Sequence, residues 1–170
     1  MPRLFFLFLL VLLSPSLAMA ESELVTGRAT PLEVYEKVSE AAQYLTEAGR
    51  TGLKEFQNPE GRFVWKSSYV WVTQCDELYC LAGPKSNDIG VNLSKAKFYQ
   101  TGKLYILNLC FEAKDNPNGA WVEYWWPKPG HDKPPRRVSY MRQVPGTPYQ
   151  VVAGTYDDAT SLEKLNEMLQ

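Results

Sequence analysis

In "ATPLEVYEKVSEAAQYLTEAG", apolar residues recur at Val34, Val38, Ala41, Leu45 and Ala48, a three-and-four spacing that lines one side of an α-helix. The start of that helix is written beside it. Thr30 is suited to the cap, Pro31 to the first helical position and Glu33 to closing a capping box, while Gly49 supplies a stop. "RTGLKEFQNPEG" predicts a shorter helical turn, broken by Asn58, Pro59 and Gly61. From Phe63 the pattern changes: "FVWKSSYVWVTQC" is rich in aromatic and β-branched residues between turn signals, which predicts strands, and a hairpin follows through "CDELYCLAGP". "KSNDIGVNLSKAKFYQTG" is a polar loop, and the apolar run in "KLYILNLCFEAKD" fits a buried helix and a strand alike. Three further strands, "AWVEYWW", "RRVSYMRQV" and "YQVVAGTY", are separated by Pro- and Gly-rich turns. The chain closes on an amphipathic helix with Leu162, Leu165 and Leu169 as its docking face and Asp157 and Asp158 as caps.

A long helix followed by antiparallel strands and a helical insertion predicts an α+β fold built on one meander sheet. The stretch "GAWVEYWWPKPG" constrains how that sheet is covered. Alternation places Trp121, Glu123 and Trp125 on one face and Val122, Tyr124 and Trp126 on the other, so both faces carry large rings and both need burial. The N-terminal helix is the expected cover on one side, with Trp121 and Trp125 packed beneath it. Loops and a small helix between Pro84 and Asp115 are expected on the other.

The N-terminus changes the picture of where this domain works. Arg3, the apolar run "LFFLFLLVLL" and the small residues of "AMA" have the order of a secretory signal peptide over residues 1–20, and the apolar run falls short of the ~20 residues that span a bilayer. Cleavage after Ala20 leaves a soluble exported chain, expected in the periplasm, with no later membrane span. Its expected organisation is a single domain over 21–158 and a C-terminal amphipathic helix over 159–170. Charge is nearly balanced, with 18 Lys and Arg against 19 Asp and Glu, and "KPPRR" is the one basic cluster; no nucleic-acid footprint is present. Three cysteines in an exported protein imply one disulfide and one leftover thiol, with Cys75 and Cys80 flanking a turn and Cys110 in the apolar run. The single histidine, His131, lies in the turn "PGHDKPP", where an exposed loop residue is expected. No Ser-His-Asp set, metal-ligand pair or Gly-rich phosphate loop can be assembled, so no enzyme is expected, with no cofactor and no catalytic residue.

Several segments in order, the long helix from Pro31, "NPEGRFVWKSSYVWV", "GPKSNDIGVNL", "GAWVEYWWPKPG" and "RRVSYMRQVPGTPYQVVAGTYDD", resemble a single Cache domain. This is the extracellular relative of the PAS fold, and the stand-alone periplasmic type is the nearest in pattern. The resemblance implies a pocket for a small ligand, a short carboxylate or an amino acid, between sheet and cover. Carried over by position, its wall is Tyr69, Trp71, Tyr124, Trp126, Arg137 and Tyr140, with Arg137 standing where a lysine is usual. A guanidinium there can fork onto a carboxylate while tyrosine hydroxyls add contacts and ring faces enclose the carbon end. The resemblance also implies a disulfide between Cys75 and Cys110, leaving Cys80 as the extra thiol. Two departures bear on the ligand: Gly83 in "LAGP" replaces a usual histidine, and "KFYQTG" lacks a usual acid, so the fold carries over where the ligand does not. The expected partners are a small molecule and a membrane receptor or sensor kinase. A pocketless relative that docks on proteins is the alternative: exposed Trp65 and Trp125 would favour it, and a cavity lined by Tyr69, Tyr124 and Arg137 would favour ligand binding.

Overall fold

A computed structural model describes residues 27–95, 105–114 and 116–170; the predicted signal peptide and the "KFYQTG" segment lie outside the described residues. Helix α1, Pro31–Ala48, starts as its sequence dictates. The Glu33 amide donates to Thr30 Oγ1 at 3.2 Å and the Thr30 amide to Glu33 Oε2 at 2.8 Å, so two otherwise orphaned donors are satisfied reciprocally. Gly49 ends it at φ +57°. Val34, Val38, Ala41, Ala42 and Leu45 are buried on the face that lies across the sheet, each Val or Leu contributing about 1.5–3 kcal/mol. A 3-10 helix, Gly49–Gln57, follows and buries Phe56 against Phe63, the two rings stacked at 4.4 Å.

The aromatic segment after Phe63 divides where Lys66 takes φ +47°. Strands β1, Val64–Trp65, and β2, Ser68–Tyr69, form a small separate hairpin whose turn residue Lys66 is held by Glu33 at 2.6 Å. The main sheet comprises β3, Trp71–Gln74, β4, Tyr79–Ala82, β5, Ala120–Trp125, β6, Arg136–Gln143, and β7, Gln150–Tyr156. Its order is β4-β3-β7-β6-β5, antiparallel throughout. The expected single meander is therefore corrected. Only β5, β6 and β7 follow one another across the sheet; the β3–β4 hairpin joins at the β7 edge, and the chain crosses to the far edge through helix α2, Tyr105–Lys114. Here the ambiguous apolar run is helical, burying Ile106, Leu109, Cys110 and Ala113, the three-and-four spacing of one helix face.

Two cores result. On the α1 side, Trp121, Val138, Tyr140, Val151 and Ala153 meet the helix; on the α2 side, Val122, Tyr124, Met141 and Val152 meet Ile106 and Leu109. The alternation expected along β5 holds for Trp121, which is 2% exposed, but Trp125 is 37% exposed and lies at the end of an edge strand, beyond the reach of α1 packing. Helix α3, Leu162–Glu167, buries Leu165 and Leu169 in the α1-side core. Its cap is Ser161, not Asp157 or Asp158, because Asp157 is buried and turns its carboxylate onto the amides of Ala159 and Thr160 just ahead of the helix. Those bonds outweigh the opposing effect of burial and hold the Asp157 carboxyl below its ordinary pKa. Cys75, just past β3, is joined to Cys110 of α2 across a Cα–Cα distance of 5.6 Å, and Cys80 is a buried free thiol.

Candidate functional site

The sheet face under α2 is not filled by side chains. A cavity of about 590 Å³ lies between the sheet and its cover. Its floor follows from strand parity: Arg137 and Ser139 of β6, Val152 and Tyr156 of β7, Tyr124 of β5 and Trp71 of β3 all project to this side. Tyr69 of β2, Trp126 after β5, and Tyr105 and Leu109 of α2 close it from the sides and above.

Five of the six expected wall residues, Tyr69, Trp71, Tyr124, Trp126 and Arg137, are brought together around this cavity. Tyr140 is not. It stands three positions from Arg137 on β6 and so points to the opposite face, fully buried, stacked on Trp121 at 5.2 Å and beside Tyr35 at 5.4 Å. Its hydroxyl donates to the Asn118 carbonyl, and burial pushes its pKa up to about 12. The expectation for Tyr140 is corrected by the period of two that was already legible in "RRVSYM": Ser139, the residue with the same parity as Arg137, is the one that faces the cavity.

Arg137 is the site's organising charge. Its guanidinium donates to the Gly154 carbonyl at 3.1 Å and lies 5.1 Å from the Tyr156 ring centroid. Burial acts to weaken its charge, yet the phenolic groups of Tyr124, Tyr156 and Tyr69 more than offset that and its pKa is raised, so it is cationic at every physiological pH. Among the described residues no carboxylate forms an ion pair with it. The neighbouring Arg136 points to the other side and is paired with Glu123 at 2.7 Å.

The tyrosines are placed by their own network. Tyr124 and Ser139 share a hydrogen bond of 2.8 Å, and Tyr105 stacks on Tyr124 at 5.0 Å and meets Trp126 edge-on at 5.2 Å. Burial, with Tyr124 next, raises the Tyr105 pKa far above the ordinary phenol range, so its proton is retained. Gly154 makes room for this arrangement. It lies opposite Ser139 in the ladder, where a Cβ would collide with Ser139 Oγ, and its carbonyl accepts from both Ser68 and Arg137.

Gly83, which carries no polar group into the wall, is buried, and an added Cβ would meet Trp71 Cβ at 3.3 Å. Cys80 also lines the cavity; burial, reinforced by Asp88, pushes its pKa up to about 11. Ser139, Tyr156, Tyr105 and Cys80 line the cavity beyond the expected wall residues. Parity with Arg137 identifies Ser139, and the GTY strand end offers Tyr156, which lies directly across from Arg137. Nothing local announces Tyr105 or Cys80. His131 is exposed in the β5–β6 connection, Trp65 is half-buried against the α1-side core, and no cluster among the described residues is arranged to hold a metal ion.

A sequence profile described as Cache domain matches residues 41–161. Three solved structures share the fold. One is a Cache chemosensory domain studied for carboxylic acid recognition, at 22% identity and TM-score 0.55, covering 84% of this chain and 97% of that one. Another is the periplasmic sensor domain of a chemotaxis protein, at 23% identity and TM-score 0.52, covering 85% and 100%. The third is a methyl-accepting chemotaxis protein from Vibrio parahaemolyticus, at 17% identity and TM-score 0.55, covering 84% and 93%. A search of curated proteins finds no match.

Proposed function

The chain belongs to the Cache domain family, and from that premise we propose that it binds a small carboxylate, free or as part of an amino acid, in the cavity between sheet and cover, with Arg137 as the group that holds the acid. Cache domains are extracytoplasmic sensory modules, not enzymes. The observation that carries the proposal is Arg137 itself: a permanently charged guanidinium facing a cavity, with no carboxylate paired to it among the described residues. A half-buried guanidinium with no carboxylate partner can receive a ligand carboxylate through a forked pair of charge-assisted hydrogen bonds. Tyr69, Trp71, Tyr124 and Trp126 supply ring surface for the carbon end and hydroxyls for a further contact. The ligand leaves unchanged.

The acid recognised by one structural relative supports this reading by analogy of fold. The domain, residues 21–158 with the helix of 159–170 against it, is exported by the signal peptide and works in the periplasm. Its occupancy is read by a separate membrane receptor or sensor kinase.

A panel of short organic acids, amino acids and amines, scored by the melting temperature of the purified protein, tests the proposal. Acids are expected to raise the melting temperature. Arg137→Ala should weaken the best acid by about tenfold or more, since hydrogen bonds to charged groups contribute about 1.5–3 kcal/mol. Arg137→Lys, which keeps the charge and loses the fork, should fall between the two. A flat response across the panel, or an acid whose affinity ignores Arg137→Ala, would sink the proposal.

A further inference from the structure

The segment Trp126-Pro127-Lys128-Pro129 runs along the mouth of the cavity, and all four residues line it. Its position is built in. Both prolines have a fixed φ, and the Tyr156 hydroxyl donates to the Pro127 carbonyl at 3.0 Å. The Trp126 amide is tied to the Pro135 carbonyl, and the Lys128 carbonyl accepts from the His131 amide. Between its prolines, Lys128 places its ammonium 5.0 Å from the centroid of Tyr156, the same ring that carries the Arg137 guanidinium at 5.1 Å. The two cations therefore lie within about 10 Å of one another, the sum of those two distances. Lys85, over the Tyr69 ring at 5.3 Å, adds another positive charge to the lining, where Asp88 is the one carboxylate among the described residues. Among the described residues none of these three cations takes part in an ion pair.

We infer that Lys128 forms a second anion subsite at the mouth, so that the cavity selects dicarboxylates over monocarboxylates. This rests on the carboxylate reading of Arg137 and extends it. One carboxylate meets Arg137 at depth, the carbon chain passes the Tyr156 ring, and the second carboxylate meets the Lys128 ammonium. A doubly negative ligand gains an attractive pair with each of the two cations around this ring, where a singly negative one gains it with one.

Matched pairs of equal carbon number, succinate with butanoate and glutarate with pentanoate, titrated calorimetrically into the purified protein at one fixed salt concentration, test the inference. The diacid of at least one pair should bind about tenfold more tightly, the gain expected of one additional charge-assisted contact. Lys128→Gln should bring the pair to near equality by weakening the diacid more than the monocarboxylate, and Lys128→Arg should retain the preference. Equal binding of both members by the wild type, or a preference that survives Lys128→Gln, overturns the second subsite and leaves the Arg137 reading standing. Loss of monocarboxylate and dicarboxylate binding alike in Lys128→Gln also overturns it, since the residue would then be shaping the whole cavity. No binding of any of the four acids overturns the second subsite, and the Arg137 reading is then decided by the wider panel of acids, amino acids and amines.

Discussion

Cys80 shows how a single side chain takes its chemistry from its surroundings. It lines the cavity, yet burial and the nearby Asp88 push its pKa from the ordinary 9.0 to about 11, so it remains a thiol at neutral pH and a poor nucleophile. Native protein treated with iodoacetamide at pH 8 should stay unmodified at Cys80 and react there once unfolded; rapid alkylation of the folded protein would contradict the burial argument. The sign for stability follows. Below about pH 9 the thiol is neutral in both states, and between about pH 9 and 11 the unfolded chain ionises first, so this contribution to stability is lost as pH rises through that window. Arg137 is the opposite case, kept charged by its tyrosine neighbours. Its residue type pointed to an acid ligand, but the absence of a paired carboxylate, which gives the charge its meaning, depends on what the fold brings near it. Tyr140 differs: its place on the other side of the sheet follows from the strand period that "RRVSYM" already carries.

Among the elements, α1 was the most legible, because its cap, its apolar face and its stop all lie within one continuous segment. Thr30→Ala removes the acceptor for the Glu33 amide and should cost about 1 kcal/mol in a denaturant titration. The Lys66 ammonium, and then the Thr30 amide, hold the Glu33 carboxyl below its ordinary pKa of 4.5. Its contribution is therefore complete above about pH 4.5 and lost as pH falls through the lowered value. A denaturation midpoint that falls on acidification below pH 4.5 in the wild type, and falls less in Glu33→Gln, would bear this out; identical acid profiles would refute it. Helix α2 was less legible. Its apolar run suited helix and strand equally on composition, although the spacing Ile106, Leu109, Cys110, Ala113 carried the helical answer. The strands predicted after Phe63 divide at Lys66, where a positive φ turns the chain into a separate hairpin that the composition does not mark.

At the scale of the whole molecule, the disulfide fastens the cover to the sheet. Cys110 sits on α2 beside Leu109, which lines the cavity, and Cys75 follows β3, so the bond holds the roof to the floor. Closing a loop of sequence separation 35 should contribute about 3–4 kcal/mol through the unfolded chain. Reduction, or Cys110→Ser, should lower the melting temperature by several degrees, and an unchanged melting curve would show that the bond constrains little. Gln150 reinforces the same corner, accepting the Cys75 amide at 2.7 Å and reaching Gln143 on β6. The sequence by itself determined helices α1 and α3, the three long strands, the turns and the need to cover both sheet faces, because period, caps and turn residues act over a few positions. Tertiary structure alone decided that β3 lies beside β7, that Arg137 and Lys128 share one tyrosine ring, and that a cavity remains under α2. Those outcomes depend on which distant segments pair and how well their side chains fill the space between them, and no local pattern encodes that.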